Sequence, residues 1–83
     1  METNIPTPEE LETIIGGALA CERLQVRGDG HHFEALVVSA AFEGRSRLER
    51  HRLVYATLGD RMRERVHALS MRTLTPAEFR NAG

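Results

Sequence analysis

Apolar residues recur along this chain in two different rhythms. From Leu11 they follow as Ile14, Ile15, Ala18 and Leu19, the i, i+3, i+4, i+7, i+8 spacing of one helical stripe wide enough to lie on a sheet. Immediately upstream, Thr7-Pro8-Glu9-Glu10 offers an N-cap threonine, a proline in the first helical position and a glutamate that closes a capping box. A helix is predicted to begin there. Gly16 and Gly17 each weaken it by about 1 kcal/mol where they are exposed, or else permit a close approach to a neighbour.

After Cys21 the period drops to two. Leu24 and Val26 alternate with Arg23, Gln25 and Arg27, and Gly28-Asp29-Gly30 then turns the chain into Phe33-Glu34-Ala35-Leu36-Val37-Val38-Ser39-Ala40. This is a β-hairpin with His31 and His32 in its loop. The second strand, being the more apolar, is expected at the centre of the sheet with one face under helices and Glu34 near the sheet edge.

Ser46-Arg47-Leu48-Glu49 repeats the capping-box signal. Projected at 100° per residue, Leu48, His51, Val54, Tyr55, Leu58, Met62 and Val66 share one face, and Leu53 falls off it. Gly59-Asp60 interrupts the run, which is read as two helices meeting at a short turn or as one bent helix. The stretch from His67 to Leu74 alternates again as a third strand, with His67, Leu69 and Met71 on one side. Thr75-Pro76-Ala77-Glu78 announces a short last helix carrying Phe79. The expected order is α-β-β-α-α-β with a terminal helical turn, an α+β fold in one compact domain over residues 1–83 with its core at about 8–79.

Composition narrows the function classes. Eighty-three residues, 41% hydrophobic and 28% charged, hold one core and no second domain. No apolar run approaches the ~18 residues that cross a bilayer, and the N-terminus lacks the basic and apolar regions of a secretory signal. The lone Cys21 has no partner in the chain for a disulfide and reads as a small buried hydrophobe. A cytoplasmic protein without membrane contact is expected.

The net charge of -1 conceals a segregation. Residues 1–22 carry Glu2, Glu9, Glu10, Glu12 and Glu22 and no cation, whereas seven Arg face Glu49, Asp60 and Glu64 between Arg45 and Arg65. There is no Lys. Arg favours bidentate contacts to carboxylate or phosphate, so Arg47, Arg50, Arg61 and Arg63 form a candidate nucleic-acid face on the helix pair. The competing reading is a solvated face paired with Glu49 and Glu64, whose exposed ion pairs are worth at most about 1 kcal/mol each. Neither a nucleophile elbow, a phosphate-binding glycine loop nor a His-Glu-x-x-His pair occurs, so no enzyme is expected.

At Gly28-Asp29-Gly30-His31-His32-Phe33, Phe42-Glu43-Gly44-Arg45-Ser46, Arg50-His51-Arg52-Leu53-Val54-Tyr55, Val66-His67-Ala68-Leu69 and Thr75-Pro76-Ala77-Glu78-Phe79 the chain resembles the BolA family. The likeness runs from about Glu9 to Phe79, and the short Gly-Asp-Gly turn is similar to the IbaG-type branch. Phe79 stands where many members have Trp, and Arg45 where Lys is common. The resemblance implies a class II KH-like fold, a mixed three-stranded sheet with helices on one face. It also implies pairing with a monothiol glutaredoxin to share a [2Fe-2S] cluster with glutathione, in cluster trafficking or iron sensing. Some members are described as transcription regulators, so a DNA partner and a homodimer stay open. The Gly-x-x-Gly loop with which KH domains clamp nucleic acid is absent.

The resemblance makes His67 the first candidate cluster ligand, with an exposed strand-edge histidine as the alternative. Neutral imidazole ligates iron, and His in place of Cys raises the potential of a [2Fe-2S] centre. One of His31 and His32 is the expected second ligand. His51, on the apolar face of its helix, is expected to be a core histidine that donates a ring N–H to backbone.

Overall fold

The computed structural model describes residues 6–29, 31–66 and 68–82, with side chains for all of these but 61–65. Helix α1 (Pro8–Ala18) starts where the capping box predicts: Glu10 N–H donates to the Thr7 hydroxyl at 3.1 Å, and Thr7 N–H donates to the Glu10 carboxylate at 3.0 Å. Strands β1 (Arg23–Gly28) and β2 (His32–Val38) form the antiparallel hairpin, and β3 (Ala68–Leu74) lies parallel to β2 on its other side. The sheet order is β1-β2-β3, so β2 is central. Glu34 stands mid-strand on that central strand, between Arg27 and Ser70, and not at the sheet edge.

Strand alternation sorts the sheet into two faces. Phe33, Ala35 and Val37 lie under α1 and α2, joined by Val26 and by the helix residues Leu11, Ile15, Val54 and Leu58 in one buried core. Phe33, Leu11, Ile15 and Val54 are fully buried. The hairpin turn depends on a bare backbone: a Cβ on Gly28 would lie 2.5 Å from the His32 carbonyl oxygen. At the edge of the sheet, the outward Val26 N–H is satisfied by the Glu12 carboxylate of α1 at 2.8 Å.

A 3-10 turn (Ala40–Phe42) leads to α2 (Arg47–Arg65), whose start is the second capping box, Ser46 with Glu49. The helix is broken at Gly59, where φ 74 and ψ 167 leave the helical region and favour glycine. The two-helix reading of this segment is therefore the right one. The break also corrects the expected apolar face: Leu48 is 59% exposed, while Leu53 packs against the core beside buried Val54 and Leu58. A single projection carried through to Val66 spans two helical phases and drifts toward Leu48.

Helix α3 (Pro76–Ala82) closes the chain with the third capping box, Thr75 with Glu78. It sits at one end of the sheet face away from α1 and α2. There Phe79 lines a shallow pocket with Leu36, Arg72, Leu74 and Ala82, Arg23 lies 5.2 Å above its ring, and Val38 of the same row is fully buried. No other described helix covers the rest of that face.

Candidate functional site

The open face starts at the hairpin turn. Asp29 orders the turn, because one carboxylate oxygen accepts the N–H groups of His31 at 2.9 Å and His32 at 3.0 Å while Asp29 N–H donates to the His32 carbonyl at 3.3 Å. These donors, His32 N–H foremost and then His31 N–H, hold the Asp29 carboxyl below the usual carboxylate range. Both histidines are exposed.

His32 is the first residue of β2, so the pleat puts its ring on the open face, where Nε2 lies 3.4 Å from the Ser70 hydroxyl of β3. In the sheet register it pairs with Ala68. His67 lies outside the described residues; its chain neighbour is the residue paired with His32. Below this row the face forms a shallow concavity of about 390 Å3 lined by Gln25, Arg27, Glu34, Leu36, Ser70 and Arg72. A smaller hollow of about 250 Å3 adjoins His32 and Asp29 and shares Arg27 and Glu34 with it. Ser70 escaped the sequence reading because alternation gives its face but not the strand it pairs with.

Arg50, one of the candidate nucleic-acid residues, is engaged inside the fold. Its guanidinium forks onto Glu78 of α3 at 2.8 and 3.4 Å, and also donates to the carbonyls of Thr73 at 3.1 Å and Arg45 at 3.0 Å. It lies 5.8 Å above the buried Phe42 ring with its side chain only 13% exposed. All of this ties α2 to the end of β3 and the start of α3. Arg50, followed by the Thr75 N–H, holds the Glu78 carboxyl down at about 2. Arg47 is exposed, and the side chains of Arg61 and Arg63 lie outside the described residues.

His51 is half-buried in a surface groove with Leu48 and Tyr55, not in the core, and no described residue accepts a hydrogen bond from its ring. Cys21 is half-buried; its thiol donates to the Leu19 carbonyl at 3.2 Å, and burial pushes its pKa up. Among the described residues no three His, Cys, Asp or Glu side chains gather as a metal site, and no helix is long and apolar enough to cross a membrane.

Known proteins place the fold and the motifs. The acid stress protein IbaG of Escherichia coli (strain K12) is 35% identical over 71 residues, covering 84% of this chain and 84% of that protein. BolA-like protein 1 of Homo sapiens is 40% identical over 85 residues, covering 90% of this chain but only 62% of the human protein. The solved structure of a bolA protein homologue from Coxiella burnetii superposes with a TM-score of 0.79 at 45% identity, covering 90% of this chain and 97% of that one. The family model for BolA-like proteins matches residues 8–78, from the start of α1 into α3, and the chain belongs to that family.

Proposed function

We propose that this protein is an adaptor, not an enzyme, that pairs with a monothiol glutaredoxin and shares with it and with glutathione a [2Fe-2S] cluster passed on in trafficking or iron sensing. His67 and His32 supply the imidazoles from this side, and the glutaredoxin cysteine and glutathione supply thiolates. The register of β2 on β3 carries the reading. His32 pairs with Ala68, so the strand end at which His32 stands is also the one that the chain enters from His67.

His32 is preferred to His31 because its ring stands on the open sheet face beside Ser70. Imidazole ligation raises the potential of such a centre, yet two rings fall short of the four ligands a [2Fe-2S] cluster takes, so the rest must come from outside this chain. A DNA-binding regulator is the weaker reading. Arg50, central to the proposed cationic face, is committed to Glu78.

Anaerobic reconstitution with a monothiol glutaredoxin, glutathione, iron and sulfide, followed by gel filtration with visible spectroscopy, tests the proposal. A coloured heterodimer that requires all components is expected. A stoichiometric cluster on the isolated protein would overturn it.

A further inference from the structure

The outer side of α2 carries a groove of about 450 Å3 built from Leu48, His51, Arg52, Tyr55 and Ala56. These positions are i, i+3, i+4, i+7 and i+8, one stripe two turns long. Leu48, Tyr55 and Ala56 make its lining mostly apolar, and Leu48 is the large hydrophobic residue left exposed among the described ones. Its cationic member is Arg52; Arg47, next in sequence to Leu48, is also exposed, and no described carboxylate pairs with either. Glu49, the acid on this turn, is instead folded back onto the Ser46 N–H at 2.9 Å.

We propose that this stripe docks an amphipathic helix of another protein, with apolar side chains against Leu48 and Tyr55 and carboxylates against Arg47 and Arg52. A helix laid along a helix meets residues at this spacing, and charge complementarity fixes the sign of the partner. A second copy of this chain is a poor occupant. A two-fold contact through the groove would bring its arginines together, and the acidic α1 exposes Thr13, Gly16 and Gly17 where a bulky apolar residue is needed. Duplex DNA is disfavoured by the mostly apolar lining and by the withdrawal of Arg50 to Glu78. The groove lies across the sheet from His32, so a docked helix leaves that histidine open. This docking is independent of the cluster assignment.

The test is an NMR titration of the 15N-labelled full chain with a synthetic helical peptide of about 18 residues, long enough to hold helix. It carries leucines at i, i+3, i+4 and i+7 and is otherwise rich in glutamate. Saturable shifts are expected at Leu48, His51, Arg52, Tyr55 and Ala56, with His32 and Ser70 unmoved and no binding of a scrambled peptide. Leu48→Asp should weaken binding about tenfold or more with an unchanged thermal midpoint, as expected for an exposed anchor. Arg52→Glu should weaken it too, and should prefer a version with lysines in place of glutamates. Absence of saturation, shifts centred elsewhere, equal binding by Leu48→Asp or by the scrambled peptide, or displacement of the peptide by duplex DNA would each overturn the proposal.

Discussion

His32 and Phe33 are consecutive residues of β2 that belong to opposite surfaces. Phe33 points into the core with Leu11, Ile15 and Val54 and has no exposed surface. His32 points the other way, solvent-exposed, with a hydroxyl 3.4 Å from its ring. The face that α1 and α2 cover is apolar and carries the stability. The open face is polar and charged, with Arg27, Glu34 and Arg72 held on a sheet whose geometry is set from beneath. Chemistry can therefore vary on one side while the other keeps the backbone in place.

The largest effect expected on either side comes from emptying the covered one. Phe33→Ala removes a fully buried ring and should cost about 3–5 kcal/mol, a large share of what an ordinary domain has in total. Urea unfolding should show the midpoint collapse. A loss under about 1 kcal/mol would mean that α1 and α2 do not depend on this face.

The same division splits the arginines of α2. Arg50→Ala deprives the Thr73 and Arg45 carbonyls and the Glu78 carboxylate of a charged donor, and should lower Tm by about 10 °C. Arg52→Ala, on the exposed groove, should change stability by no more than about 0.5 kcal/mol. Equal effects in a thermal melt would erase the distinction between latch and docking residue.

How much of this was legible beforehand follows the same line. The Thr/Ser-x-x-Glu signals at Thr7, Ser46 and Thr75 each became a capping box, because a cap is a local motif whose partners lie three residues apart. The covered face was readable from its period. Arg50's role was not, because Glu78 lies 28 residues away and only the fold joins them. Leu48 and Leu53 exchanged roles because Gly59 resets the helical phase, which a single projection cannot register. On the open face the residue types were readable, but the pairing of His32 with Ala68 depends on a parallel crossover that no local pattern encodes.

A smaller effect appears in acid. The Glu78 carboxyl, ordinarily near 4.5, is held at about 2 by Arg50 and the Thr75 N–H. The folded form thus takes up this proton at a lower pH than the unfolded chain does. Its stabilisation is complete above about pH 4.5 and is lost as the pH falls toward 2. Asp29, also lowered, acts with the same sign, so the difference between wild type and Glu78→Gln isolates the latch. Glu78→Gln should melt lower at neutral pH, and the gap should narrow through that window. A gap constant from pH 6 to pH 2 would show that the ion pair carries none of the acid sensitivity.

The smallest change in stability should come from His32→Ala, one residue from the largest. The ring is exposed, its contact to Ser70 is long at 3.4 Å, and the turn is ordered through the His32 backbone N–H, which alanine retains. A shift in Tm of no more than ~2 °C is expected, in keeping with surface substitutions away from special features. The cluster proposed to be shared with a glutaredoxin should respond in the opposite sense. Without that imidazole, pulsed EPR of the reduced heterodimer should lose a nitrogen coupling and the cluster should become labile, while His31→Ala should leave both unchanged. His67→Ala should remove a second coupling. If His32→Ala keeps both couplings and His31→Ala loses one, the ligand is the turn histidine, and the open face of β2 is a neighbour of the cluster instead of its holder.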